Sequence, residues 1–177
     1  MSQAHQRSAA RPVGDAPMMS DYGVGGTDWQ ALPWHWAGTR LAATRNYWVT
    51  TVGTDGQPHS MPVWGVWDDE RLRFMFSCSP NARKARDLAH NPRVTFTNDD
   101  TVECVSVQGI ARPVTDHAAM DRWVELYINK YRDEVDDNMG EFIRAHACFE
   151  VTPSVVFSVV ERPDEFATRA TRWRVRA

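Results

Sequence analysis

Arg83, Lys84 and Arg86 stand at the start of a segment, Pro80 to His90 (PNARKARDLAH), that has the composition of a short helix. A helix start exposes free N–H groups and the positive end of the helix dipole, so cations placed there make a phosphate site. The same charges also fit a solvated helix face that answers Asp87. Of the six histidines, His5, His35, His59, His90, His117 and His146, none shows metal-ligand spacing. His59 stands out because it lies beside the stretch that carries Pro62 and Gly65. The chain contains no GxSxG, HExxH or GxxxxGK[ST], so acyl-transfer, zinc-protease and P-loop chemistries lack their signatures. The acidic runs Asp68-Asp69-Glu70, Asp99-Asp100 and Asp133-Glu134-Asp136-Asp137 fall at turns or helix ends, where solvated charge is the simpler account. Cys78, Cys104 and Cys148 are three, widely separated and outside any CxxC, which points to neither a zinc site nor a disulfide framework. Free thiols fit a reducing compartment, and a cytoplasmic protein is expected.

The elements that must position these residues are legible from patterning. A chain of 177 residues with 42% apolar and 24% charged residues has the make-up of one folded domain. Its net charge of −3 gives no general attraction to nucleic acid, so any anion site must be local. No apolar run reaches the ~18 residues of a membrane span. Residues 1–28, rich in Ala, Ser, Pro and Gly, are expected to form a mobile extension, with one domain over 29–177. Eight Trp is a high count, expected to fill cores and a dimer interface.

Trp36 to Asn46 has helical spacing. Tyr47–Val52 (YWVTTV) is a strand, and Thr54-Asp55-Gly56-Gln57 is a hairpin turn. His59–Trp67 (HSMPVWGVW) is a second strand, although Pro62 and Gly65 are poor residues for a strand paired on both sides. Arg71–Cys78 alternates as a third strand. Asn91-Pro92 closes the short helix, Arg93–Thr97 is a fourth strand, and Val102–Val114 is a long fifth with a bend or bulge at Gly109. Asp116 caps a helix running to about Tyr131, a second helix lies around Met139–Ala145, and Cys148–Val160 returns as strand. Strands this close together exclude helical crossovers. The expected fold is mainly β: a closed antiparallel barrel with flanking helices.

Six elements in order carry a family resemblance: Asp55-Gly56-Gln57-Pro58-His59, Met61-Pro62-Val63-Trp64, Phe74-Met75-Phe76-Ser77, Arg83-Lys84-Ala85-Arg86-Asp87-Leu88, Asn91-Pro92-Arg93-Val94 and Val107-Gln108-Gly109. Together they resemble the pyridoxamine 5′-phosphate oxidase-like, flavin-binding split-barrel family, more weakly at Lys130-Tyr131 and Thr171–Arg174. The resemblance implies an antiparallel, Greek-key-like split β-barrel in which Met61, Pro62, Val63, Trp64, Gly65 and Val66 line a flavin ring. It also implies that Ser77 and Cys78 lie near the ribityl chain and that Arg83 and Lys84 hold the phosphate. The site would lie between two subunits of a homodimer, with Trp173 and Arg174 of the C-terminal segment closing it. Met61 and Val66 stand where the oxidases of vitamin B6 metabolism place basic residues, and the Pro-His-x-x-Pro-Val-Trp run is closer to the branch that uses the deazaflavin coenzyme F-420.

The resemblance therefore implies an oxidoreductase that uses FMN or F-420 to move a hydride to or from a small organic substrate. His59 and Tyr47 are weak candidates for a proton donor. Alternatives are a non-catalytic cofactor-binding protein, or a haem-binding split barrel with His59 or His146 as axial ligand. No metal, nucleic-acid or membrane partner is expected.

Overall fold

Six strands alternate inward and outward residues and close on one another. The computed structural model describes residues 10–175. In β2 (Asn46–Val52), Tyr47, Val49 and Thr51 are buried while Trp48 is exposed. β5 (Arg93–Thr97) turns Val94 and Phe96 inward, in register with β2 through Val49 and Phe96. β3 (Pro58–Asp68), β4 (Arg73–Cys78), β6 (Glu103–Pro113) and β7 (Ala147–Val160) complete the ring. Each neighbour is antiparallel, in the circular order β2–β3–β4–β7–β6–β5, with β5 returning to β2. Closure leaves the ring without a fully exposed edge strand. The expected split β-barrel is the fold observed.

The turn chemistry follows the sequence. Gly56 has φ 77°, the left-handed conformation a tight hairpin needs, and Asp55 Oδ1 accepts from the Gln57 N–H at 3.0 Å. Gly109 marks the expected irregularity, with the β6–β7 register shifting between Gln108 and Gly109. Arg71 and Leu72, expected in strand, belong instead to a turn in which Leu72 takes φ 52°.

Two apolar cores result. Inside the barrel, Tyr47, Phe74, Phe76, Phe96 and Val107 are fully covered, and α1 (Trp34–Ala43) brings Trp34, Ala37 and Leu41 to them. α2 (Arg83–His90) adds Leu88. Outside the barrel, α3 (His117–Tyr131) and α4 (Met139–Arg144) cover the outer side of β3, β4 and β7. That second core holds Val66, Met75, Trp123, Tyr127, Tyr131, Ile143 and Cys148.

The chain ends differ from expectation. β1 (Gly14–Asp15) pairs with β8 (Thr171–Arg174), which itself adds to β7. Asp15 holds Arg172 at 2.8 Å, Arg11 pairs with Asp69 at 2.9 Å, and Val24 is buried. Residues 10–28, expected as a mobile extension, thus lie against the body; residues 1–9 fall outside the described residues.

Trp173, expected to close a neighbouring subunit's site, is fully buried in its own barrel core, edge-on to Trp34 at 5.7 Å between ring centroids. Alternation puts Thr171 and Trp173 of β8 inward, so its ring cannot face a partner. Trp173→Ala should cost about 3–5 kcal/mol, read as a lower urea midpoint at unchanged m-value. Trp173→Phe, which removes an indole N–H that has no partner among the described residues, should cost clearly less.

Candidate functional site

β3 pairs with β2 from Pro58 to Trp64 but with β4 only from Gly65 to Asp68. Its first seven residues therefore have one unpaired edge. Which backbone groups face that edge follows from Gly65. Its N–H donates to the Tyr131 hydroxyl at 3.0 Å, and its carbonyl accepts from Lys130 Nζ at 2.9 Å, both on the β2 side. In an antiparallel strand a residue's N–H and C=O share a side, and successive residues alternate. The groups of Ser60 and Pro62 accordingly turn to the open edge, and those of Trp64 to the start of the β4 ladder. Pro62 has no N–H to leave unsatisfied there, which is where a strand tolerates proline.

Side chains divide by the same parity. His59, Met61 and Val63 share a face with Thr51, Val49 and Tyr47, their partners in β2. Met61 is 45% exposed, and His59 Nδ1 has no hydrogen-bond partner among the described residues. Trp64 turns to the other face and stacks on Tyr131 at 4.7 Å, with the Arg45 guanidinium 4.9 Å from its ring. Val66 also points that way and is buried beneath α3. The expectation that Met61 to Val66 line one site is thus corrected for the Val66 side chain, which period two directs into the second core. Gly65 serves packing as well: a Cβ there would come within 2.6 Å of the Phe74 ring.

The end of β4 and the start of α2 lie beside this edge. Val63, Cys78 of β4 and Ala85 of α2 all pack, partly buried, on the barrel core. Ser77 and Cys78 are half-buried. Burial raises the Cys78 thiol, and the Lys84 ammonium partly offsets it. α2 begins at Arg83 without a side-chain cap, and the first N–H groups to bond back are those of Ala85 and Arg86, both to the Ala82 carbonyl. The N–H groups of Arg83 and Lys84 precede them, at the positive end of the dipole.

Asp87 bears on the alternative reading of these cations. Its buried carboxylate accepts from Thr51 Oγ1 at 2.7 Å, while Arg83 approaches only to 3.9 Å. Lys84 makes no ion pair among the described residues, and Arg86 donates to the Asn81 carbonyl at 2.6 Å. Asp87 is therefore committed mainly to the barrel, and Arg83 and Lys84 keep charge for an incoming anion. A cleft of about 460 Å³ lies between α2 and the β2–β3 turn, lined by Gly53, Thr54, Asp55, Arg83, Arg86, Asp87 and His90.

Behind β3 is a cluster that the family resemblance touches only weakly, at Lys130-Tyr131. Lys130 Nζ donates to the Tyr47 hydroxyl at 2.8 Å as well as to Gly65, and Tyr47 in turn donates to the Leu41 carbonyl. Tyr47 is fully buried, so its candidacy as a proton donor to substrate is withdrawn. Burial pulls Lys130 down from 10.5 to about 7, with Asp99 acting the other way. Burial likewise lifts Tyr131 to about 12 and Tyr47 well above its ordinary range.

The remaining candidates lie apart from the edge. Arg174, on the exposed side of β8, pairs with Asp15 at 3.2 Å. His146 follows α4, with Nδ1 2.6 Å from the Phe142 carbonyl. Among the described residues no three His, Cys, Asp or Glu side chains come together as a metal site, and no helix is long and apolar enough to cross a membrane.

Comparison with known proteins adds an independent line. A family model described as pyridoxamine 5′-phosphate oxidase matches residues 39–160. A search of curated proteins finds no match. Among solved structures, a conserved hypothetical protein from Mycobacterium tuberculosis aligns with TM-score 0.61 and 21% identity, over 85% of this chain and 89% of that one. A structure described as an F-420 reductase aligns with TM-score 0.53 and 20% identity, over 67% and 93%. A heme binding protein from Mycobacterium smegmatis aligns with TM-score 0.55 and 18% identity, over 70% and 52%. At these identities the likeness is one of fold.

Lys130 has a consequence for stability. Between pH about 7 and 10.5 the unfolded chain keeps the Lys130 proton and the folded chain does not. The unfolded state then binds more protons, so this contribution to stability rises with pH across that window and is smallest below it. Urea unfolding should show wild type gaining about 1–3 kcal/mol relative to Lys130→Met across the window, the full shift being reduced by partial solvent exposure.

Proposed function

Because the chain belongs to the pyridoxamine 5′-phosphate oxidase family, we propose that it is a homodimeric oxidoreductase using FMN or coenzyme F-420 to move a hydride to or from a small organic substrate. The observation that carries this reading is an unpaired strand edge on the same barrel as weakly paired cations at a helix start. A phosphate-bearing planar cofactor needs both: an anion site at one end and a backbone edge with hydrogen-bonding groups along the ring. The residues present fit that demand. Arg83, Lys84 and the first N–H groups of α2 would hold the phosphate, with Ser77 and Cys78 beside the chain that follows it. The edge at Ser60 and Pro62, with Met61 and Val63 on its inward face, would meet the ring.

When bound, the cofactor supplies the hydride chemistry. This chain's own groups bind, orient and exclude water. Met61 and Val63 offer an apolar wall. His59 carries the proton role in this reading, its ring lying partly exposed beside the edge.

A second copy of the chain would complete the site. Of the eight Trp, seven are buried or half-buried within the chain's own packing, and Trp48 alone is exposed, at 46%. It lies on the outer side of the barrel, paired across the ladder with exposed Pro62 of the β3 edge. An exposed aromatic beside that edge is the kind of anchor a subunit interface uses. Three free cysteines suit a cytoplasmic setting.

A carrier without turnover is the second reading, and a haem carrier is its specific form. The unengaged His59 ring favours that form, whereas the Nδ1 of His146 already lies against Phe142.

Titration of the purified protein with FMN and with F-420 tests the proposal. Saturable binding of one of them below ~100 μM is expected, and Arg83→Ala with Lys84→Ala should weaken it about 10–100-fold, as removal of charge-assisted bonds to phosphate would. Binding of neither cofactor defeats the proposal. A Soret band on haem addition that His59→Ala abolishes would move the assignment to the haem carrier.

A further inference from the structure

The inward row of β2 is Tyr47, Val49 and Thr51, all buried, and threonine is the exception in it. Valine has nearly the same shape, so what Thr51 brings to a fully buried position is its hydroxyl. A buried hydroxyl is costly unless hydrogen-bonded, and this one donates to Asp87 Oδ2 of α2 at 2.7 Å. The same oxygen is the one that Arg83 approaches from one helical turn earlier, with Nε at 3.9 Å. At that distance the pair has charge attraction but no hydrogen bond. Its members differ in freedom, since the Arg83 side chain is 43% exposed and that of Asp87 only 8%. The guanidinium is the group that can move, and about 1 Å of travel would bring it into hydrogen-bond range.

A second carboxylate near Arg83 is diverted in the same manner. Gly53 lies where these groups converge: a Cβ there would stand 2.8 Å from Asp55 Oδ1, 3.4 Å from Asp87 Oδ1 and 3.7 Å from Arg83 Nη2. Asp55 Oδ1 is taken by the Gln57 N–H of its own turn. Two carboxylates thus stand close to one arginine, and each is held by an uncharged donor.

We infer that Thr51 is a positioning residue for the phosphate site: by holding Asp87 it keeps the Arg83 guanidinium available, and so lets the start of α2 tell a phosphorylated cofactor from its dephosphorylated form. The inference rests on the cofactor reading above and assigns the selectivity to a side chain that itself touches no ligand. A guanidinium closed on Asp87 would have to leave it before serving phosphate, and the buried carboxylate would be left unmatched. That cost would be subtracted from every charge-assisted bond gained. Lys84, without an ion pair among the described residues, attracts the anion in either case, so Arg83 is where the selectivity is set.

The test uses the full chain with FMN and riboflavin, which share ring and ribityl chain and differ in the phosphate, titrated at one pH and one salt concentration. Wild type should bind FMN at least about tenfold more tightly than riboflavin. Thr51→Val removes the hydroxyl with little change of shape and frees Asp87 to pair with Arg83. It should weaken FMN about tenfold while leaving riboflavin within about twofold, which also reports an intact ring site. Thr51→Ser keeps the hydroxyl and should bind like wild type. Asp87→Asn keeps an acceptor for Thr51 without the charge, so FMN should bind as well as before or better. The double variant Thr51→Val with Asp87→Asn has no carboxylate to pair, and should return FMN affinity to within about twofold of wild type. Loosening of α2 alone would not be rescued in this way. Unchanged FMN affinity or an equal loss of both ligands in Thr51→Val would overturn the inference and leave the cofactor reading intact. A double variant that stays weak, or a selective loss of FMN in Asp87→Asn, would overturn it equally. If wild type takes F-420 in place of FMN, the same comparison is made with F-420 and its phosphate-free ring fragment. Failure of wild type to bind either cofactor would remove both.

Discussion

A strand hydrogen-bonds along both edges only while a neighbour runs beside each, and β3 loses one neighbour as it gains the other. Up to Trp64 its companion is β2; from Gly65 onward it is β4. The handover leaves two stretches of backbone to be satisfied by other means. On the β2 side the gap is filled by the hydroxyl of Tyr131 and the amine of Lys130. On the β4 side it stays open along Ser60 and Pro62. α3 covers the outer face of β3 and β4 and so delivers the two side chains that close the first gap. The helix that protects the second core is thus also the one that defines the edge.

Charge is distributed so that the cleft keeps what it needs. Most arginines on the flanks are matched to carboxylates: Arg122 to Asp68 at 2.7 Å, Arg40 and Arg162 to Glu103, Arg172 to Asp15, and Arg71 to Glu150. Partly exposed pairs of this kind contribute little to stability singly, but they fix where charge is cancelled. At the start of α2 the pattern breaks. The nearby carboxylate, Asp87, is drawn inward by Thr51, and Arg83 and Lys84 are left with little competition. A chain of net charge −3 can in this way present a local anion site.

Much of this was legible from residue order, and the parts that were not share a cause. The Asp55-Gly56 turn, the alternating strands, the helix closed by Asn91-Pro92 and the bulge at Gly109 are local features, set by backbone sterics and period. Pro62 was readable as an unsuitable residue for a doubly paired strand, and it does lie on the free edge. Which neighbour would be missing depends on pairings between distant segments, and no local signal carries that. Tyr131 acts 66 residues away from Gly65 and looks in sequence like one more apolar residue on the α3 face. Val66 is a different case, since period two already separates it from Met61 and Val63. The resemblance places Trp173 in a partner's site, whereas alternation in Thr171–Arg174 places it with Thr171 inside.

The seam between β1 and β8 bears on the order in which the molecule assembles. Asp15 and Arg174 are separated by 159 residues, and Gly14 packs against the Thr171 and Trp173 side chains. Contacts this distant in sequence are entropically the most demanding to bring together, so they form after the hairpins that need only short loops. During synthesis β1 emerges first and has nothing to add to until β8 exists. The barrel can close around its own pairings before that seam is made, which separates the closing of the barrel from the fastening of the chain's two ends.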